Sequence, residues 1–442
     1  MSDNRSLVPV LAAAIHAGPW DRSAIERRLA KALGARSRRR AKRLLDELFA
    51  VVQTPYAPQL RQLERLIGKC PSLRAISERM AEHVLSLTVT RPPPRFGSIA
   101  SLRTLDVPKI TTQGDLARWL GIPLTQSDWL TDERRTIARS TESRLHHYSY
   151  RWTRKRSGGW RLIEAPKGRT KLYQRRILRE ILDRLPASPA AFAFVRGRNG
   201  AEAAAKHAGE AVVITVDLEN FFLSVRSSRV HAAFRCLGYP APVARMLTSL
   251  CTTSTPTTVL VGPSPGEPKP DRATCELYRA RHLPQGAPTS PALANFAAHR
   301  LNARLAGLAR VFGARYTRYA DDLTFSGDAK FARQAVRFLR IVDEIARDEN
   351  FRVNARKTRV MTRASRQTVT GLVVNDHINV PRRAYDQLKA TLTNCVRNGP
   401  AGQNRDQHPD FRAHLDGRVA WVEAVNLRRG SKLRRLFNAI RW

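Results

Sequence analysis

The spacing of apolar positions changes period several times along the chain, and each change predicts an element. Through residues 1–90 the spacing is helical. Ser23 to Glu26 has the composition of a capping box, and Ile25, Leu29 and Leu33 continue one face. A basic run at 36–43 leads into Leu44, Leu45, Leu48 and Phe49. The opening run at 7–14 has the length of a secretory h-region, but Asp3 offsets Arg5 just before it, so it reads as a helix. The RPPPR segment at 91–95 cannot be ordinary helix interior and predicts a boundary, with a linker over 91–114. Helical spacing resumes over 114–140, with Leu116, Trp119, Leu120, Trp129 and Leu130 as core.

Period two then takes over. Residues 148–166 predict a β-hairpin in which YSYRWTR and WRLIEAP flank a Lys155 to Gly159 turn. Arg154, Lys155, Arg156 and Arg161 make it a cationic ribbon suited to phosphates. Residues 171–185 predict an amphipathic helix with Leu172, Ile177, Leu178, Ile181, Leu182 and Leu185 inward. AVVITV at 211–216 is apolar throughout and β-branched, which predicts a central strand buried on both faces and ending at Asp217. Phe221 and Phe222 follow; either is as readily core as functional. Residues 262–272 contain four prolines and predict a surface loop. In LPQGAPTSPALAN, Gln285 and Gly286 sit on a loop, Ser290 suits an N-cap, and Leu293, Phe296, Ala297 and Leu301 point inward. YTRYADDLTFS, at 316–326, alternates about an Ala320-Asp321-Asp322 corner and predicts two short strands around a tight turn. Phe331, Ala335, Phe338, Val342 and Ile345 predict a helix on the sheet. Residues 352–362 predict a strand containing Lys357, and the last 60 residues are helical and basic.

Composition narrows the class. Hydrophobic residues make up 42%, ordinary for a globular protein, but 77 Lys+Arg against 37 Asp+Glu leave a net charge of +40. Such a surplus repels itself and implies a polyanionic partner, spread along a long surface rather than a tail. No run approaches the roughly 18 apolar residues of a membrane span, so nucleic acid is favoured over a membrane. Five scattered cysteines without CxxC spacing point to a reducing, cytoplasmic setting and away from a zinc site.

The candidate chemistry is carboxylate chemistry. Adjacent aspartates at a tight turn repel each other, which a divalent cation would relieve, although a solvated Asp-Asp turn needs no function. Asp217, at the tip of a buried strand, is costly unless paired or metal-bound. Neighbouring strands would bring it to Asp321 and Asp322. Three such carboxylates can hold two Mg²⁺ ions roughly 4 Å apart, the spacing that clamps attacking and leaving oxygens in phosphoryl transfer. Lys155 and Arg161 could then bind triphosphate oxygens.

KRSGGWRLIEAP, the QRRIL helix, VDLENFF, LPQGAPTSPALAN, RYADDLTFSG and VNARKT, in that order, make residues 115–442 resemble reverse transcriptases, and among them the bacterial retron type. Val369-Thr370-Gly371 matches a triplet associated with retron enzymes. The resemblance implies an α+β chain with the right-hand polymerase fold. Fingers would span 115–210, a palm with an antiparallel sheet 211–375 (with a fingers-like insertion around 231–283), and a helical thumb 376–442, behind an all-helical extension over 1–90. It implies that Asp217, Asp321 and Asp322 bind metal with help from the Leu218 carbonyl. Phe222 would be the steric gate against a ribose 2′-OH. Arg161, with Lys155, would contact the triphosphate, Gln285 would line the nucleotide pocket, and Lys357 would act near the leaving pyrophosphate. Retron enzymes carry an NAxxH motif; Ala203 to His207 here has Ala in place of Asn. His207, Val369, Thr370 and Gly371 are expected to take part in reading structured RNA, though His207 reads equally well as a core histidine.

The same resemblance implies two Mg²⁺ ions, with Mn²⁺ as a substitute, and dNTPs as substrates. It implies a cognate structured noncoding RNA and its cDNA product as partners, a separate effector protein, and no membrane. Synthesis would start from a guanosine 2′-OH and yield a branched RNA–DNA hybrid (msDNA) used in antiphage defence. Two alternatives stand beside this reading. One is a non-retron bacterial reverse transcriptase, such as a group II intron protein, which the short stretch after Gly371 disfavours. The other is a catalytically silent RNA-binding scaffold, which the intact triad, gate and pocket glutamine argue against.

Overall fold

The computed structural model of the protein describes residues 4–17, 20–33, 38–52, 58, 60–80, 96–99, 102, 104–132, 137, 140, 142–155, 160–261 and 270–442. They divide into two compact units, Met1–Arg95 and Phe96–Trp442. Among the described residues no helix is long and apolar enough to cross a membrane, and all five cysteines are free thiols.

The first unit is helical, with helices Asn4–His16, Arg22–Leu33, Arg38–Val51, Leu60–Ile67 and Ser72–Met80. Its core consists of the residues that helical spacing selects, including Leu11, Ile15, Ile25, Leu29, Leu44, Leu45 and Leu48. The cap differs from expectation. The second helix starts before Ser23, and Asp21 closes it: the Ala24 N–H donates to the Asp21 carboxylate at 2.8 Å. A carboxylate there also meets the positive end of the helix dipole, which a serine hydroxyl does not.

In the second unit, strands β1 (Tyr148–Arg154) and β2 (Trp160–Pro166) form an antiparallel ribbon with Thr153 opposite Arg161. Its turn, 156–159, lies outside the described residues, as do 262–269 and the RPPPR segment. A four-stranded antiparallel sheet follows, built from β3 (Val212–Leu218), β4 (Arg315–Tyr319), β5 (Asp322–Gly327) and β6 (Val353–Thr362) in the order β4-β5-β3-β6. The interior place of β3 agrees with its unbroken apolar run. Alternation splits its side chains. Val212, Ile214, Val216 and Leu218 enter the main core with Phe325, Phe331 and Phe338, while Val213 joins a second core shared with the C-terminal helices. Thr215 and Asp217 continue the Val213 face and are half-buried.

A two-residue turn joins β7 (Thr368–Val369) to β8 (Leu372–Val373), with Thr370 at φ +48° and Gly371 at φ +83°. Two successive left-handed residues are what a tight hairpin of this twist requires. Helices Arg382–Asn398, Phe411–Val425 and Leu427–Asn438 close the chain. The last two cross so closely that a Cβ on Gly430 would lie 2.4 Å from Glu423 Cα.

Several expectations are corrected. The helix placed at 171–185 runs instead as Gly168–Glu180 and a 3₁₀ turn Leu182–Arg184. Its buried stripe is Thr170, Gln174 and Ile177, which leaves Leu172 on the opposite side, 62% exposed. Trp129 is 40% exposed and lies edge-on to His147 rather than in the core. Ser290 does not cap its helix; its hydroxyl donates to the Pro284 carbonyl at 2.7 Å. Nor are residues 96–99 a free linker: Gly97 N–H donates to the Gly238 carbonyl (3.0 Å) and Ile99 N–H to that of Cys236 (3.1 Å).

Candidate active site

The β4–β5 hairpin turns at Ala320 and Asp321, with Ala320 at φ +57°. The Leu218 N–H donates to the Asp321 carbonyl at 2.9 Å, which ties the turn to the end of β3. Asp322 opens β5 directly opposite Asp217 in the sheet register. Alternation therefore sets Asp322, Thr324 and Ser326 on one sheet face with Asp217, Thr215 and Val213. The three aspartates expected from sequence are brought together by the sheet.

Their crowding has an electrostatic signature. Burial, followed by the neighbouring Asp217, holds the Asp321 carboxyl above its ordinary range. Asp322 is pushed up to about 6, first by burial and then by Asp321 and Asp217. Each carboxylate disfavours ionisation of the next, so the cluster calls for positive charge. Lys357 supplies some of it. The register of β6 jumps from Thr215↔Arg359 to Asp217↔Asn354, leaving residues 355–358 bulged opposite Val216. Lys357, on this bulge, donates from its ammonium to Asp217 Oδ1 at 2.8 Å. That hydrogen bond is the main reason its pKa is raised. Lys155 stands in the same field: burial lowers its pKa first, then Arg161 and Lys357, while Asp217 and Asp321 act the other way.

Among the described residues, no three His, Cys, Asp or Glu side chains are closed around a single point as a ready ligand set. The donor chemistry nevertheless suits a hard divalent cation, because all three groups are carboxylates and two are strained by their neighbours.

The loop bearing Gln285 docks against β2. The Glu164 N–H donates to the Gln285 carbonyl at 2.8 Å. Gly286 has φ +133°, and a Cβ there would stand 3.0 Å from the Glu164 carbonyl oxygen. Gln285 Oε1 is buried without a hydrogen-bond partner. Beneath the loop lies a pair that the sequence reading missed. The fully buried Glu164 carboxylate accepts from Thr255 Oγ1 (2.7 Å) and meets His282 Nε2 (2.9 Å). The available signal was a glutamate at an inward position of β2, between Leu162 and Pro166.

Phe222 is half-buried, its ring centroid 5.6 Å from that of Phe221 and 6.1 Å from that of Phe194. Phe194 was also missed; it is 50% exposed on a loop with φ +60°.

The four residues expected to read RNA separate. His207 is fully buried, with Nδ1 2.7 Å from Ser326 Oγ and Nε2 2.7 Å from Thr317 Oγ1, so it braces β4 and β5. Val369 is likewise buried. Thr370 and Gly371 form the β7–β8 turn, and the Thr370 hydroxyl donates to the Gly200 carbonyl at 2.7 Å. Both border a cleft of about 510 Å³ shared with Asn199, Thr215, Tyr319, Asp322 and Trp421. Trp421, 44% exposed on the helix Phe411–Val425, carried no mark in the sequence beyond its type.

Comparison with known proteins agrees with this geometry. The family described as reverse transcriptase (RNA-dependent DNA polymerase) matches residues 153–384. The chain is 40% identical over 343 residues to the retron Mx65 reverse transcriptase of Myxococcus xanthus, covering 76% of this chain and 73% of the relative. It is 35% identical over 335 residues to the retron Mx162 enzyme of the same organism (71% and 64% covered). With the retron Ec86 reverse transcriptase of Escherichia coli it shares 32% over 233 residues (52% and 64% covered).

Proposed function

The chain belongs to the retron reverse transcriptases and is an RNA-directed DNA polymerase, and from that premise we propose that it copies part of a cognate structured noncoding RNA into a branched RNA–DNA hybrid, msDNA. The observation that carries this reading is the pairing of Asp217 opposite Asp322 in the sheet, with Asp321 tied to the end of the same strand.

In this reading Asp217, Asp321, Asp322 and the Leu218 carbonyl hold Mg²⁺, with Mn²⁺ as a substitute. Two such ions, when bound, supply the lowered pKa of the primer hydroxyl and the screening of the triphosphate. Lys357 keeps Asp217 paired beforehand and, once displaced, stands beside the departing pyrophosphate. Arg161 and Lys155 bind triphosphate oxygens from the ribbon β1–β2. The unpartnered Gln285 Oε1 receives a hydrogen bond in the nucleotide pocket. The Phe222 ring fills the space that a ribose 2′-OH would need, selecting dNTPs.

The parts are assigned accordingly: fingers over 115–210, palm over 211–375 and thumb over 376–442, with residues 1–90 as a helical extension. Thr370, Gly371 and the cleft they border face the structured RNA, and the basic C-terminal helices grip the duplex through its backbone. The priming group is the 2′-OH of a guanosine in that RNA. A separate effector protein completes an antiphage device.

The test is primer extension on a defined RNA template with the full chain. Replacing Asp321 and Asp322 by Asn should abolish synthesis while RNA binding, measured by filter retention, is preserved. Persistent extension would place the chemistry elsewhere; no extension by the wild-type chain on any template would favour an RNA-binding scaffold.

A further inference from the structure

Arg318, on the core-facing side of β4, has the largest side chain among those fully buried. A buried guanidinium ordinarily sits against a carboxylate, because an unpaired buried charge is expensive. Here its hydrogen-bond acceptors are all neutral, and the Asp321 carboxylate acts on it only through space. Nε donates to Asn302 Oδ1 (2.9 Å), Nη1 to the Ala320 carbonyl (2.8 Å) and Nη2 to Asn295 Oδ1 (2.9 Å). The Phe221 ring covers the guanidinium, 5.5 Å from Cζ.

Asn302 makes the arrangement more unusual. Its Oδ1 also accepts from the Tyr316 hydroxyl at 3.0 Å, yet its Nδ2 is buried without a partner. An aspartate of the same shape would accept both bonds, pair the guanidinium and remove the orphaned N–H. By stability alone aspartate is the better residue, and the chain carries the amide. A local rule broken at this cost points to a use for the unpaired charge.

The bonds indicate what that use is. The Ala320 carbonyl belongs to the left-handed residue immediately before Asp321. Asn295 passes the contact on, since its Nδ2 donates to the Ala193 carbonyl at 3.0 Å, next to Phe194 and its neighbour Phe222. The Arg318 backbone itself accepts from the Phe192 N–H (2.9 Å) and donates to the Ala190 carbonyl (2.6 Å). One guanidinium thus joins the turn that carries Asp321 and Asp322 to the loop that abuts the gate.

We propose that Arg318 is a positioning residue, kept without a carboxylate partner so that its full charge fixes the aspartate turn and the Phe194–Phe222 aromatic pair in one alignment. Charge-assisted bonds to the Ala320 and Asn295 oxygens are strongest while no anion competes for the guanidinium. The proposal rests on the polymerase reading, and its test separates the two.

Full-length Asn302→Asp and Arg318→Lys are compared with wild type in primer extension with dNTPs and with rNTPs. Rates are taken per active site from burst amplitudes, alongside thermal midpoints. Asn302→Asp should melt no lower than wild type, yet extend about tenfold more slowly per site. Its dNTP over rNTP preference should fall by about threefold or more, as misalignment at the gate would dictate. Arg318→Lys, which keeps the charge but loses the planar fork, should shift the preference in the same direction. An unchanged preference in both variants overturns the proposal, whatever the rates. So does Asn302→Asp at the wild-type rate and preference, because the unpaired charge would then have no catalytic use. Failure of the wild-type chain to make DNA would instead refute the polymerase reading.

Discussion

Replacing His207 by Gln should change how the fold responds to acid. The imidazole is fully buried between two hydroxyls, and burial first, then Arg315, lowers its pKa from 6.5 to about 3. In the unfolded chain the same group titrates near its ordinary value, so between about 6.5 and 3 the unfolded state holds one more proton. The neutral buried histidine therefore contributes stability that is whole above pH 6.5 and is lost as pH falls toward 3, by ~1.4 kcal/mol per pH unit. At pH 5 the loss is ~2 kcal/mol relative to pH 8. Asp322 works with the opposite sign: its folded value is raised to about 6, so its contribution is whole below 3.8 and fades as pH rises through 6. That term is common to wild type and variant and cancels in their difference. Glutamine keeps a donor and an acceptor but cannot titrate, and imperfect bonding to Ser326 and Thr317 should cost it ~1–3 kcal/mol at pH 8. Urea unfolding followed by tryptophan fluorescence, at pH 8 and pH 5, measures the gap. It should narrow by ~2 kcal/mol between the two conditions. A gap that stays constant would mean that His207 takes up its proton as readily in the fold as in the unfolded chain, and would refute its role as a neutral brace.

Lys357→Met removes the ammonium that pairs with Asp217 at 2.8 Å. With no resident cation to displace, Mg²⁺ should raise its thermal midpoint more than it raises that of wild type, while extension slows; an equal or smaller rise would contradict the displacement. Phe222→Ala should open the gate and raise the ratio of rNTP to dNTP incorporation by about tenfold or more, read from single-nucleotide extension; an unchanged ratio would move the gate elsewhere. Gly430→Ala puts a Cβ 2.4 Å from Glu423 Cα, beside the Arg434–Glu423 ion pair at 2.7 Å. The two C-terminal helices should part at a cost of ~1–3 kcal/mol, seen as earlier release of a C-terminal fragment in limited proteolysis; wild-type resistance would show that the crossing can relax.

Much of the site was legible because its signals are local. The unbroken run in β3 and the alternation in YTRYADDLTFS each fix which face a residue takes; Asp217 and Asp322 then meet by register, with Asp321 beside them in the turn. What alternation cannot reveal is partnership across distant segments. Glu164 and His282 are a buried pair far apart in the chain, and the inward glutamate of WRLIEAP was passed over as part of a cationic ribbon. Nothing in the sequence sets Arg318 apart from the many other basic residues, whereas its position on β4 sends it into the core. For His207 the sequence leaves RNA reading and a core position equally open, and only the packing of two hydroxyl-bearing strands around it shows that it is enclosed. The helix errors share one cause. Spacing at 171–185 fits a continuous helix, but the break near Ile181 and the buried Thr170–Gln174–Ile177 stripe set a phase in which Leu172 faces water.

Purification of the protein from cells carrying its native flanking DNA, followed by denaturing gels of the bound nucleic acid before and after RNase and a debranching enzyme, tests the retron polymerase reading most directly. A short DNA of fixed sequence, shifted by debranching and missing when Asp321 and Asp322 are replaced by Asn, is the expected result. Bound RNA without such DNA, from protein that extends an artificial primer, would contradict the retron assignment and leave a reverse transcriptase of another kind.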